Sequence, residues 1–79
     1  METTPPAVPQ SAEDWYRLGN ARQDEGRDDL AVECYERVVQ LQPGHAKAWN
    51  NLGVSRQKLG RDAPAAEAYR QALAIDPSL

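Results

Sequence analysis

The 79-residue sequence predicts an all-α fold of two helical hairpins in tandem, four antiparallel helices in all. Three observations predict it. Residues recur at an offset of 34 along the chain, which marks an internal duplication. Apolar residues within each copy follow helical spacing, with no strand-like alternation. Glycines and prolines fall where helices of that length must stop.

The offset is read from identities. Trp15 recurs as Trp49, Leu18 as Leu52, Gly19 as Gly53, Arg22 as Arg56 and Gln23 as Gln57. Gly26, Arg27, Asp28 and Ala31 recur as Gly60, Arg61, Asp62 and Ala65. Glu33 and Glu67, Tyr35 and Tyr69, Pro43 and Pro77, and Ala12 and Ala46 complete 13 identical pairs in a 34-residue window. The units are residues 12–45 and 46–79.

Each unit reads as two helices. Ser11 is placed to cap the first, with Glu13 and Asp14 in the first turn suiting its dipole. Trp15 and Leu18 open the apolar side, and Gly26, free to take positive φ, ends the helix. Asp28 is expected to cap the second helix. Leu30, Ala31, Tyr35, Val38, Val39 and Leu41 form its apolar stripe, and Pro43-Gly44 stops it. The second unit follows the same plan, with Trp49 and Leu52, Gly60 as breaker and Asp62 as cap. Pro64 sits in a first turn, where a missing N–H costs nothing. Ala65, Ala68, Tyr69, Ala72, Leu73 and Ile75 make the last stripe before Asp76-Pro77.

Ahead of these units, residues 1–11 (METTPPAVPQS) read as a flexible tail, because Pro5, Pro6 and Pro9 remove donors and disfavour helix. The start is neither basic nor apolar enough for a secretory signal, so a cytoplasmic, reducing setting is expected. A net charge of −3 argues against a nucleic-acid partner, which needs a basic face for phosphates. No apolar run approaches the roughly 18 residues of a membrane span. One cysteine, Cys34, and one histidine, His45, cannot make an internal disulfide or a zinc site, and no cofactor fingerprint is present. Cys34 is expected to be a buried, inert thiol and His45 a loop residue. The Asp24-Glu25 and Asp28-Asp29 pairs have no nucleophile beside them and read as caps and solvated surface. No catalytic residues are expected, and the chain is not expected to be an enzyme.

These residues resemble the tetratricopeptide repeat family. Its pattern, W-x2-L-G-x2-Y…A-x3-F…P, lies over Trp15-x2-Leu18-Gly19 and Trp49-x2-Leu52-Gly53. Ala31-x3-Tyr35 and Ala65-x3-Tyr69 follow with Tyr for Phe, and Pro43 and Pro77 close the units. The Tyr of the first helix is replaced by Arg22 and Arg56, whose stems can cover apolar surface. The resemblance covers residues 12–79 and implies two tetratricopeptide hairpins forming a short right-handed α-solenoid. It also implies a protein–protein interaction module that holds a peptide segment of another protein in a concave groove of first helices.

Carried over by motif position, the groove residues are Tyr16, Asn20 and Gln23, flanked by Glu13 and Asp24, in the first unit. In the second they are Lys47, Asn50, Asn51, Val54 and Lys58, with Gln57. Asn51 stands where family members keep an amide that bonds ligand backbone, since an amide both donates and accepts. The family's clamp for chaperone C-termini is not expected, because Tyr16 replaces its first-unit Lys.

A competing expectation is a structural unit that self-assembles into a homo-oligomer through its exposed repeat ends, or one piece of a longer repeat protein. Two hairpins are fewer than the three or so that usually make a stable stack. Residues 12–45 carry a charge of −4 and residues 46–79 one of +2, so head-to-tail copies would pair opposite ends, with Lys47 and Lys58 contributing.

Overall fold

The computed structural model describes residues 9–79, so eight residues of the expected tail lie outside the described residues. Four helices follow in order: α1 (Ala12–Asp24), α2 (Asp28–Leu41), α3 (Ala46–Lys58) and α4 (Asp62–Ile75). The bounds of α3 and α4 are those of α1 and α2 moved by 34 residues. No strand occurs among the described residues. Helix α1 packs on α2, α2 on α3 and α3 on α4.

Local chemistry sets the ends. The Ser11 Oγ accepts the Asp14 N–H at 3.1 Å, the N-cap expected for α1. Gly26 and Gly60 take φ of 76° and 78°, and each closes its helix in the same way. Arg27 N–H donates to the Arg22 carbonyl at 2.8 Å and Gly26 N–H to Gln23 at 3.0 Å. Arg61 and Gly60 repeat the pair on Arg56 and Gln57, both at 2.9 Å. These are the two bonds of a Schellman turn, which satisfies end carbonyls that would otherwise lack donors.

Two cap assignments differ from expectation. Asp28 and Asp62 are not N-caps but the first residues of α2 and α4; the caps are Arg27 and Arg61, which make no side-chain cap bond. The Schellman turn delivers the chain into the next helix one residue early, so each carboxylate acts in the first turn, on the dipole. Conversely His45, read as a loop residue, is the N-cap of α3, its Nδ1 accepting from Ala48 N–H at 3.0 Å.

The core lies along the seam. Tyr35, Val38, Leu52, Ala31, Ala48 and Ala68 are fully buried. Small residues permit this approach: a Cβ on Gly19 would fall 2.8 Å from Cε1 of Tyr35, and one on Gly53 2.7 Å from Cε1 of Tyr69. The expected stripes overreach at their ends. Leu41, Leu73 and Ile75 are exposed at 45%, 49% and 39%, whereas Val38 and Ala72 in the same last turns are buried, so only one side of each turn is covered. Cys34 is buried as expected, and burial pushes its thiol up from the ordinary value, against the pull of Arg22. Its folded-state reactivity is therefore low.

Candidate functional site: the groove of the first helices

Helices α1 and α3 stand side by side and are joined by polar side chains in place of a continuous apolar face. Asn51 Nδ2 donates to Asn20 Oδ1 at 3.2 Å and to the Tyr16 hydroxyl at 3.3 Å. Tyr35, reaching from α2, donates its hydroxyl to the same Asn20 Oδ1 at 2.6 Å. Gln23 Nε2 donates to Ser55 Oγ at 2.9 Å and to the Asn51 carbonyl at 3.2 Å. The Tyr16 ring lies 6.0 Å from that of Tyr35 and 4.7 Å from the His45 imidazole, which fixes its place between the units.

This arrangement brings Tyr16, Asn20, Gln23 and Asn51 into one connected network, all half-buried. Asn50 and Val54 are half-buried on α3 beside it, and Lys47 and Lys58 are exposed near the two ends of that helix. On α1, Glu13 and Asp24 are exposed, Glu13 being paired with Arg17 at 2.6 Å. Three members were not legible as site residues. Ser55 is fully buried and anchors Gln23. Tyr35 holds Asn20, and His45 braces Tyr16. An Ala-to-Ser difference between matching positions 21 and 55 was the only available sign of the first.

The amide orientations are determined by these partners. Asn20 Oδ1 accepts from both Tyr35 and Asn51, which leaves its Nδ2 as a donor toward the groove. Both bonds of the Asn51 side chain run from Nδ2, which leaves its Oδ1 as an acceptor. One donor and one acceptor, held in place by hydrogen bonds, match the alternating C=O and N–H groups of an extended peptide.

The Tyr35 phenol is pushed above its ordinary value of 10.0, chiefly by burial and then by the Tyr16 hydroxyl, with the Asn51 amide opposing. A raised value favours the neutral form in the fold. Stability from this group is therefore full below the ordinary tyrosine range and is lost as pH rises through the folded value. Alkaline titration by circular dichroism should show stability falling once the pH passes about 10, where the unfolded tyrosine ionises. Tyr35→Phe should remove that component while leaving unfolding in acid unchanged.

Between Glu36 of α2 and Arg56 of α3 a further bond crosses the seam at 3.2 Å, and Arg56 also donates to the Pro64 carbonyl at 3.1 Å. The Arg56 side chain is 18% exposed, so its stem covers apolar surface where the family's tyrosine would stand. Among the described residues no group of three or more His, Cys, Asp or Glu side chains is placed to hold a metal, and no helix is long and apolar enough to cross a membrane.

The comparisons agree with this architecture. A family model for the tetratricopeptide repeat matches residues 11–78, and the chain belongs to that family. Among solved structures it is similar to the crystal structure of MamA, a tetratricopeptide repeat protein, with a TM-score of 0.79 and 27% identity. That match covers 85% of this chain and 39% of MamA, so the chain corresponds to well under half of it. No curated protein matches significantly. Family members are in general protein-interaction modules without catalytic activity.

Proposed function

We propose that the chain is a binding adaptor whose α1–α3 groove holds an extended segment of another protein. The observation that carries this reading is the Asn20–Asn51 pair, whose outward donor and acceptor are fixed by Tyr35, Tyr16 and each other. Tyr16 and Val54 supply apolar contact on either side, Asn50 adds a second amide, and Gln23 closes one end with its Oε1. Lys47 and Lys58 favour acidic side chains of the bound segment over the second repeat, while Glu13 and Asp24 favour basic ones over the first. Binding of this kind needs no cofactor and no metal.

Structural roles and binding roles overlap at Asn51. Replacing it with Ala removes two cross-repeat hydrogen bonds, each worth about 1 kcal/mol, as well as the acceptor offered to the ligand. Val54 makes a cleaner test, because it lines the groove without hydrogen-bonding across it. Peptides selected from a random display library on the wild-type chain should bind Val54→Arg at least about tenfold more weakly, a loss near 1.4 kcal/mol. The melting temperatures of the two chains should agree. Equal affinity for both would move the binding site elsewhere.

A further inference from the structure

The chain contains its own example of what fills the cleft of a hairpin. Where the second hairpin meets α2, Val32 joins Leu52 and Ala68 in one buried cluster with Trp49 against it. Glu36 pairs with Arg56 beside that cluster. Moving Trp49, Leu52, Arg56 and Ala68 back by 34 residues gives Trp15, Leu18, Arg22 and Cys34. Those four residues line a cleft of about 480 Å³ between α1 and α2, and no residue of α3 or α4 lines it. Leu52 is fully buried in the filled version, whereas Leu18 in the open one is only half-buried. The α1–α2 cleft is thus a second seat for a helix, separate from the groove.

A second copy stacked head to tail would bring α4 into that seat. The register then puts Ala66 in the place of Val32, Arg70 in that of Glu36 and Leu73 in that of Val39. Arg70 would face Arg22, so an attractive pair becomes two like charges at a partly desolvated contact. The amide seam is lost as well. Gln57 would meet Ala21 where Gln23 meets Ser55, and Arg17 would meet Val54 where Asn51 meets Asn20. Lys47 and Lys58, which supply part of the basic end charge, lie on α3; the terminal helix α4 carries Arg70 instead. Each side-chain bond that joins the two repeats includes a residue at which the repeats differ, and α4 is the wrong occupant.

We propose that the α1–α2 cleft seats an amphipathic helix of a different protein, with apolar residues at i and i+7 and a carboxylate at i+4. That is the spacing of Val32, Val39 and Glu36, the face of α2 that meets the second hairpin. Arg22 is prepared for the carboxylate. Its Nη1 holds both oxygens of Glu25, at 2.8 and 2.9 Å, so Nη2 and Nε remain as donors, Nη2 being the atom with which Arg56 binds Glu36. Of the other charged residues that line the cleft, Glu33 and Glu36 are acidic and Arg37 basic, and Glu36 is already paired with Arg56. The Arg37 guanidinium, 5.7 Å from the Trp15 ring centroid, covers the apolar wall until a helix displaces it.

The test uses the full chain and a helix-constrained peptide spanning residues 27–42, followed by backbone amide shifts. Saturable shifts are expected at Leu18, Arg22, Leu30 and Cys34. The peptide carrying Glu36→Arg should bind at least about tenfold more weakly, and Arg22→Glu in the chain should restore it. Sedimentation equilibrium gives the complementary result: a monomeric wild type, and self-association in Arg70→Glu, which supplies α4 with the missing carboxylate. Equal binding of both peptides, shifts confined to Trp49 and Leu52, or a wild-type chain that stacks on itself through this cleft would overturn the proposal.

Discussion

Replacing Leu52 with Ala should remove about 3 kcal/mol of stability, the middle of the range for emptying a buried leucine site. Leu52 is fully buried and contacts residues of both repeats, so the cavity opens at the seam. Small domains have only about 5–15 kcal/mol to lose, and the melting temperature should fall by about 15 °C. Leu18→Ala is the internal control. It removes the same side chain at the matching position of the first repeat, where the cleft is open, and should cost about 1 kcal/mol. Urea unfolding of the two variants measures the difference. Equal losses would mean that the seam is not where the molecule is held together.

Glycine replacement gives the second large effect, again unequal between repeats. A Cβ at Gly19 would meet Cε1 of Tyr35 at 2.8 Å and the Cβ of Cys34 at 3.1 Å. Tyr35 is fully buried and its hydroxyl is tied to Asn20, so the ring cannot move aside. Gly19→Val should cost about 3 kcal/mol through overpacking. At Gly53 the obstruction is Cε1 of Tyr69 at 2.7 Å, but Tyr69 is only half-buried and its hydroxyl is held by the exposed Gln57 at 2.9 Å. Its ring can swing outward, and Gly53→Val should cost about 1 kcal/mol. Thermal melts of both variants decide this, and a larger loss at Gly53 would contradict the packing described.

The order of these effects shows which features of the chain were legible without coordinates. Identities at an offset of 34 mark what both hairpins need: the Gly26 and Gly60 turns, the small residues at 19 and 53, and the tyrosines packed on them. Helix bounds followed closely, with the shortfall at Asp28 and Asp62 arising from a turn tight enough to advance the helix by one residue. The seam was not legible, because it is built from differences. Ser55 against Ala21, Asn51 against Arg17, and Glu36 against Arg70 look like noise in a comparison that rewards sameness. Each makes a bond across the seam between residues 20 or more positions apart, a separation with no local periodicity. Groove membership for Tyr16, Asn20, Gln23 and Asn51 came from the family pattern, while the network that orients their amides needed the fold. Leu41, Leu73 and Ile75 are exposed in spite of their spacing, because helical spacing identifies an apolar face but not whether anything covers it.

The groove and the α1–α2 cleft are separate surfaces. The groove depends on polar groups oriented by the seam, and the α1–α2 cleft on an apolar seat with one arginine. In the two proposals the groove takes an extended segment and the cleft a helix, so each is tested without the other.

The most direct test of the adaptor reading is to map a library-selected peptide on the isotope-labelled chain by amide shifts, side-chain amides included. The account predicts the largest changes at the Asn20 and Asn51 side chains and along Tyr16, Asn50 and Val54. Changes confined to the outer faces of α2 and α4, with both asparagine side chains unmoved, would contradict it.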